Sequence, residues 1–429
     1  MSKFSTLTLA ISISLVFVST ATYAVGVTQS VEDALNFYHY GNKGAVKVDL
    51  NYRYENVNQD DVTQNSTLSP PPRNPDTANG NTVRLRFGLL SPVFYGFQGY
   101  AEYEGNLAIQ EDYNSTRNFN TKHSTIADPD KSELNQFWLS YNGIPDTLVK
   151  GGRQRIKFDD DRYIGNVGWR QMETTYDSVL LTHTSQQLFG LVINAGYIGN
   201  VQTFTSTQEN INAPILNVNY KVGDFGNAIG YSYWLDYVEK ENYEKSSATY
   251  GLRFTNWLKP GDSYKITDKL GVMYTAEWAY QQDYGHGKTG YHANRYNFMG
   301  GLTAFNVTLQ GAVEQLDGYG LNKTFDTPLG TNHAFQGWAD LFLVTPANGI
   351  RDVFGTAHVM LNRGNVILTG VYHDFSDDTG KKHYGDEWDF QALWKIDKHY
   401  SVLAKYAYYN ADKFNTDTQK IWVQGNISF

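Results

Sequence analysis

The chain has 429 residues, a formal net charge of -9, no cysteine, 39 Gly, 32 Tyr and only 11 Pro. An acidic balance without basic runs excludes a nucleic-acid reader, which needs a basic stripe, and no disulfide can brace any part of it. Aromatics at 15% and a mean hydropathy of -0.48 describe a large antiparallel β protein, and equally a membrane barrel whose lumen keeps hydropathy low while aromatic girdles raise Tyr and Trp.

Lys3, the apolar run 7–18 and Thr22-Tyr23-Ala24 have the order of a secretory signal, with cleavage expected after Ala24. The run is too short to anchor the chain, and no later stretch is long and apolar enough for a spanning helix. Export into an oxidising compartment suits the lack of thiols. Residues 1–24 are therefore expected to be a signal peptide and 25–44 a short periplasmic segment. A short helix is expected there, capped by Ser30 with Glu32 and Asp33 in its first turn.

From Ala45 the period becomes two. Val46, Val48, Leu50, Tyr52 and Tyr54 alternate with Lys47, Asp49, Asn51, Arg53 and Glu55, one face for lipid and one for water. The alternation recurs at 83–89, 189–197, 216–220, 229–235, 270–278, 305–309 and 388–394. It closes the chain with Ile421, Val423, Gly425, Ile427 and Phe429 against Trp422, Gln424, Asn426 and Ser428. A last strand with an apolar face and a final Phe resembles the signal by which outer-membrane barrels are recognised for insertion.

Short connections at 142–146, 185–187, 223–225, 300–301, 361–364 and 396–399 alternate with long polar ones at 56–81, 110–132, 159–176, 200–213, 237–247, 282–289, 314–351, 375–384 and 410–418. Transmembrane barrels show this rhythm, with the short turns periplasmic. The connection 257–268 is longer than that rule wants. The fold expected for 45–429 is all-β: a transmembrane antiparallel barrel of about 18 strands with both termini periplasmic. Such a barrel is too wide for side chains to fill and leaves an aqueous channel unless loops plug it.

In the segment 153–158, each basic residue facing lipid would cost roughly 2–4 kcal/mol near the midplane. Turning Ile156 and Phe158 to water forfeits only about 1.5–3 kcal/mol each. The face carrying Arg153, Arg155 and Lys157 is thus expected in the lumen.

The segment from Gly152 to Gln171, reading GRQRIKFDDDRYIGNVGWRQ, resembles the alginate-export family of outer-membrane porins. So do the first strand, KVDLNYRYENV from Lys47 to Val57, and HAFQGWAD from His333 to Asp340, followed by Thr345-Pro346 and Gly349. The resemblance implies a monomeric barrel of eighteen strands with a charged lumen, passing anionic sugar polymers or small solutes. It implies the Gram-negative outer membrane as location. The implied partners are outer-membrane lipid, lipopolysaccharide and the barrel-assembly machinery, with no nucleic acid and no cofactor.

Arg84 and Arg86 on one strand, Glu102 and Glu104 beside Tyr100 and Asn106 on another, and Arg153, Arg155 and Lys157 on a third are the candidate pore-lining, selectivity residues. Opposed basic and acidic ladders would set a transverse field at a constriction. Alternatively they pair with one another and neutralise a crowded wall. Asp159-Asp160-Asp161 lacks the alternate spacing of a calcium loop and reads as loop packing or Asp-Arg pairing. The loop 314–351 carries Phe335, Trp338, Phe342 and Leu343, too apolar for free solvation, and either folds into the lumen or packs over the rim. Tyr233, Tyr237, Trp278, Tyr280, Trp394, Tyr406 and Tyr408 read as interfacial girdles. His183 with Ser185, and His373 with Asp374, are the nearest catalytic neighbours, but neither lies in a catalytic motif. The expected function is passive diffusion of small hydrophilic solutes, anions among them, and not catalysis. The alternatives are an exporter of an anionic polysaccharide and a barrel hydrolase.

Overall fold

The computed structural model describes residues 44–60, 75–185, 187–188, 190–257, 263–267, 269–287, 289–321 and 323–429. The expected signal peptide and nearly all of the short segment expected after it lie outside the described residues. The strands are β1 (Ala45–Gln59), β2 (Ala78–Leu90), β3 (Phe97–Asp112), β4 (Lys131–Ile144), β5 (Thr147–Gln154), β6 (Thr175–Thr184), β7 (Leu191–Gln202), β8 (Gln208–Val222), β9 (Gly226–Tyr237), β10 (Ser247–Thr255), β11 (Tyr264–Thr267), β12 (Leu270–Gln282), β13 (His292–Ala304), β14 (Val307–Leu316), β15 (Ile350–Leu361), β16 (Val366–Ser376), β17 (His383–Lys395), β18 (Tyr400–Ala411) and β19 (Thr418–Ser428).

Each strand pairs antiparallel with its neighbours, and β1 closes the sheet by pairing with both β2 and β19. The short β11 lies on the same edge of β12 as β10: Thr255 faces Thr275 and Tyr264 faces Val272. The two act as one interrupted stave, so the wall is a closed 18-strand antiparallel barrel. This accounts for the overlong connection at 257–268. Among the described residues no helix is long and apolar enough to cross a membrane.

The period of two sorts side chains as expected over most of the wall. On β2, Leu85, Phe87 and Leu89 are exposed outward while Thr82 and Arg84 are buried inward. Trp278 and Tyr408 stand exposed on the outside, as girdle residues would. Two expectations fail. Gly300-Gly301 is not a turn but the middle of β13, paired with β12 and β14; the reversal comes at Phe305, with φ 55°. Gly301 is small because a Cβ there would lie 2.6 Å from the Leu309 carbonyl oxygen.

On β9 the apolar residues Ile229, Tyr231, Tyr233 and Leu235 point inward and are buried, as is Tyr237. Tyr233 and Tyr237 are therefore core residues, not girdle. Their partners come from the connection 155–174: Tyr163 lies 4.7 Å from Tyr231, and Phe158 stacks 6.3 Å from Tyr233.

Two long connections fold inside the barrel, 155–174 between β5 and β6 and 317–349 between β14 and β15. They are stitched together. The Gly165 amide donates to the Leu329 carbonyl at 2.9 Å, and the Thr331 amide donates to the Asp161 carbonyl at 2.8 Å. Arg162 donates to Asn332 at 3.3 Å and to Gln336 at 3.0 Å. Of the two readings of the apolar loop, infolding is the one realised.

Candidate functional site: the lumen constriction

The wall strands supply inward charge and the two infolded loops bring more. Arg86 on β2 ion-pairs with Glu104, its cross-strand neighbour on β3. Arg84 pairs with Asp49 on β1. Basic and acidic ladders on β2 and β3 are thus adjacent and not opposed across the lumen, so pairing along the wall is part of their role. Glu102 accepts hydrogen bonds from Asn135 at 2.8 Å and Gln136 at 2.9 Å.

Arg155 lies just past β5 and turns inward. Its Nε donates to Glu173 Oε2 at 2.7 Å, and its Nη2 is 3.7 Å from Glu102 Oε1. The Glu173 amide donates to Glu104 Oε2 at 3.1 Å, and Arg86 Nη2 lies 3.7 Å from the Glu173 carboxylate. Burial alone would raise the Glu173 carboxyl, but Arg86 and Arg155 outweigh it and hold it at about 2. Five charged groups from β2, β3 and the first infolded loop therefore meet in one network.

Arg153 and Lys157 do not belong to it. Arg153 sits opposite Phe137 and Asp177 in the ladder, and Phe137 and Val179 on that face are exposed outward. Arg153 is therefore on the outer face of the barrel, where Nε and Nη2 grip Asp177 at 2.7 and 2.8 Å. The lipid cost that argued for an inward Arg153 applies to an unpaired cation; a bidentate carboxylate partner removes most of the reason. Lys157 is half exposed and pairs with Asp161 at 2.8 Å. The three neighbouring aspartates diverge: Asp159 accepts from Asn217 at 2.7 Å and Asp160 meets Arg253 at 2.5 Å.

Sequence reasoning missed a second network. Arg53 on β1 lies 3.1 Å from Asp128, and Arg170 reaches Glu55 at 3.1 Å and Asp340 at 3.1 Å. Lys420 on β19 also holds Asp340, at 2.9 Å. His333 meets Asp340 at 2.6 Å. Burial holds the His333 imidazole down at about 3, so it stays neutral. Arg53 and Lys420 were legible as inward residues, since each lies on the polar face of its strand. The partners Asp128, Arg170 and Asp340 lie in connections, where no period marks a face.

Below the loops, on the side of the short turns, is a cavity of about 270 Å³ lined by Arg53, Arg84, Arg86, Trp169 and Gln424 among others, with no carboxylate in its lining. Five nitrogens on these residues, Arg53 Nε, Arg84 Nε, Arg86 Nη2, Trp169 Nε1 and Gln424 Nε2, are buried with no hydrogen-bond partner among the described residues. A larger cavity of about 640 Å³ opens on the loop side and reaches Arg170 and Lys420. The catalytic neighbours considered from sequence have other partners: His183 meets Thr147 at 2.9 Å, and His373 meets Asp352 at 3.0 Å.

A family model described as alginate export matches residues 73–192, a stretch that holds β2 to β6 and the first infolded loop, and includes the segment from Gly152 to Gln171 but neither the first strand nor the segment from His333 to Asp340. Sequence comparison with curated proteins finds no match. Solved structures with the same fold include Acinetobacter baumannii OccAB2, at 13% identity and a TM-score of 0.67, covering 91% of this chain and 99% of that one. Pseudomonas aeruginosa OpdK, solved with vanillate, has 11% identity and a TM-score of 0.65, covering 90% and 98%. Pseudomonas aeruginosa OpdQ has 13% identity and a TM-score of 0.66, covering 90% and 97%. The chain thus shares its barrel fold with these proteins over 90–91% of its length.

Proposed function

We propose that this chain is an outer-membrane channel for passive diffusion of small hydrophilic anions, carboxylates above all. The observation that carries the reading is the lower cavity, lined by three guanidiniums and by no carboxylate, whose Arg53, Arg84, Arg86, Trp169 and Gln424 carry five N–H donors with no hydrogen-bond acceptor among the described residues. Unpaired buried donors are costly unless something accepts their hydrogen bonds. A carboxylate supplies strong acceptors for guanidinium groups. The vanillate in the OpdK structure is a solute of that class.

In this reading Arg84, Arg86 and Arg155 attract the solute, while Glu102 and Glu104 hold the guanidiniums in place. The barrel stands in outer-membrane lipid and lipopolysaccharide, with termini and short turns periplasmic, and works as a monomer inserted by the barrel-assembly machinery. The family match keeps polysaccharide export as the second reading. Two loops stitched across the lumen argue against it, since a polymer would have to displace both.

Swelling of proteoliposomes separates the readings. Vanillate is expected to enter faster than an uncharged sugar of similar size, and Arg53→Gln with Arg84→Gln and Arg86→Gln to remove the difference. Equal entry of the two solutes into wild-type vesicles would overturn the anion reading.

A further inference from the structure

We propose that Lys405 is the positioning residue that keys both infolded loops to the barrel wall and so sets the width of the channel. The inference rests on the channel reading above. Lys405 lies on the inner face of β18 and is buried. Its ammonium stands 3.6 Å from the Trp338 ring centroid, 4.2 Å from that of Trp169 and 5.6 Å from that of Trp422. These three indoles belong to three parts of the molecule: Trp338 to the connection 317–349, Trp169 to the connection 155–174, and Trp422 to β19. One cation therefore touches both loops and the wall at once.

A fourth contact fixes the geometry. Lys405 Nζ is 2.7 Å from His333 Nε2, while His333 Nδ1 faces Asp340 Oδ1 at 2.6 Å. A neutral imidazole can donate from Nδ1 to the carboxylate and accept from the ammonium at Nε2, so the imidazole proton and one ammonium proton each have an acceptor. The His333 ring stacks on Trp169 at 4.3 Å with the planes 3° apart. The Arg53 guanidinium also lies over Trp169, at 4.5 Å. Lys405 thus bears on a ring that also lines the lower cavity. Cation–π contacts are strongest when desolvated and when the ring is Trp, and both conditions hold here. A lysine whose only role was lumen charge would gain from water and would not be walled in by indoles.

The test compares Lys405→Met, Lys405→Arg and Trp338→Leu in planar bilayers, with quenching of Trp fluorescence by aqueous acrylamide as a readout independent of current. Lys405→Met is expected to raise open-channel flicker roughly ten-fold and to increase quenching; Lys405→Arg, which keeps the cation, is expected to stay near wild type. Trp338→Leu removes the nearest wall of the cage with the lysine in place and is expected to reproduce the flicker, so it carries the test if Lys405→Met does not insert. A Lys405→Met barrel with wild-type quenching overturns the inference. So does one whose reversal potential shifts while its flicker is unchanged, since that marks a lumen charge and not a key. Absence of current in wild type, with quenching still responding to Lys405→Met, would sink the channel reading and leave the key standing.

Discussion

Arg153 and Arg155 are two residues apart and would share a face on a continuous strand, yet one grips Asp177 outside the barrel and the other Glu173 inside. The cause is local: β5 ends at Gln154, and the chain after it turns into the lumen. Alternation says nothing beyond the last paired residue, which is why the sequence could not separate them. The two make a sharp prediction. Arg155→Gln should shift the reversal potential in a salt gradient toward cations, and Arg153→Gln should leave it unchanged; the reverse order would contradict the placement. Gly337 is a second residue with a physical mandate. Its φ is 81°, and an added Cβ would stand 2.4 Å from a Glu387 carboxylate oxygen, while the amide of Ala339 two residues on donates to Glu387 at 2.7 Å. Gly337→Ala is expected to loosen the second loop at a cost of about 1–3 kcal/mol, read as greater cleavage of that loop by protease in the inserted barrel.

At the level of elements, the strands were legible and the loops were not. A wall between lipid and water imposes two solvents on successive residues, and that imprint survives without any partner being known. Which face is which is less secure. On β9 the alternation was visible, but Tyr163 and Phe158 fill the lumen there, so its inner face is as apolar as a lipid face. The packing of one loop on the other depends on contacts between residues far apart in sequence, such as Arg162 with Gln336, which no local pattern records. Docking of the second loop should also depend on acid. His333 has an ordinary value near 6.5 when undocked and about 3 when docked. The undocked loop then binds more protons between those values, so the contribution of His333 to docking weakens as pH falls from about 6.5 toward 3 and does not change with pH above that window. Glu173 has the opposite cause but a lower window, losing its contribution only as pH falls from 4.5 toward about 2. Flicker that rises between pH 6.5 and 5 in wild type and rises less in His333→Gln is the expected outcome; equal rises in the two would contradict it.

For the whole molecule, pairing of β19 with β1 closes the sheet on itself and presents exposed apolar side chains around its outer surface, as lipid or detergent requires. The residues that fill the lumen are unevenly placed. Arg295, Glu277, Glu314, Arg253 and Tyr231 bind one another and meet Asp160, Arg162 and Tyr163 of the first loop on one side, while the lower cavity lies against β1, β2, β17, β18 and β19. Solute flow is therefore expected along the seam where the first and last strands meet, past guanidiniums that have spare donors. The most direct measurement is the zero-current potential of the inserted wild-type barrel across a potassium chloride gradient. The account predicts anion selectivity that disappears when Arg53, Arg84 and Arg86 are replaced by glutamine together. Cation selectivity in wild type, or selectivity indifferent to those three changes, would contradict it.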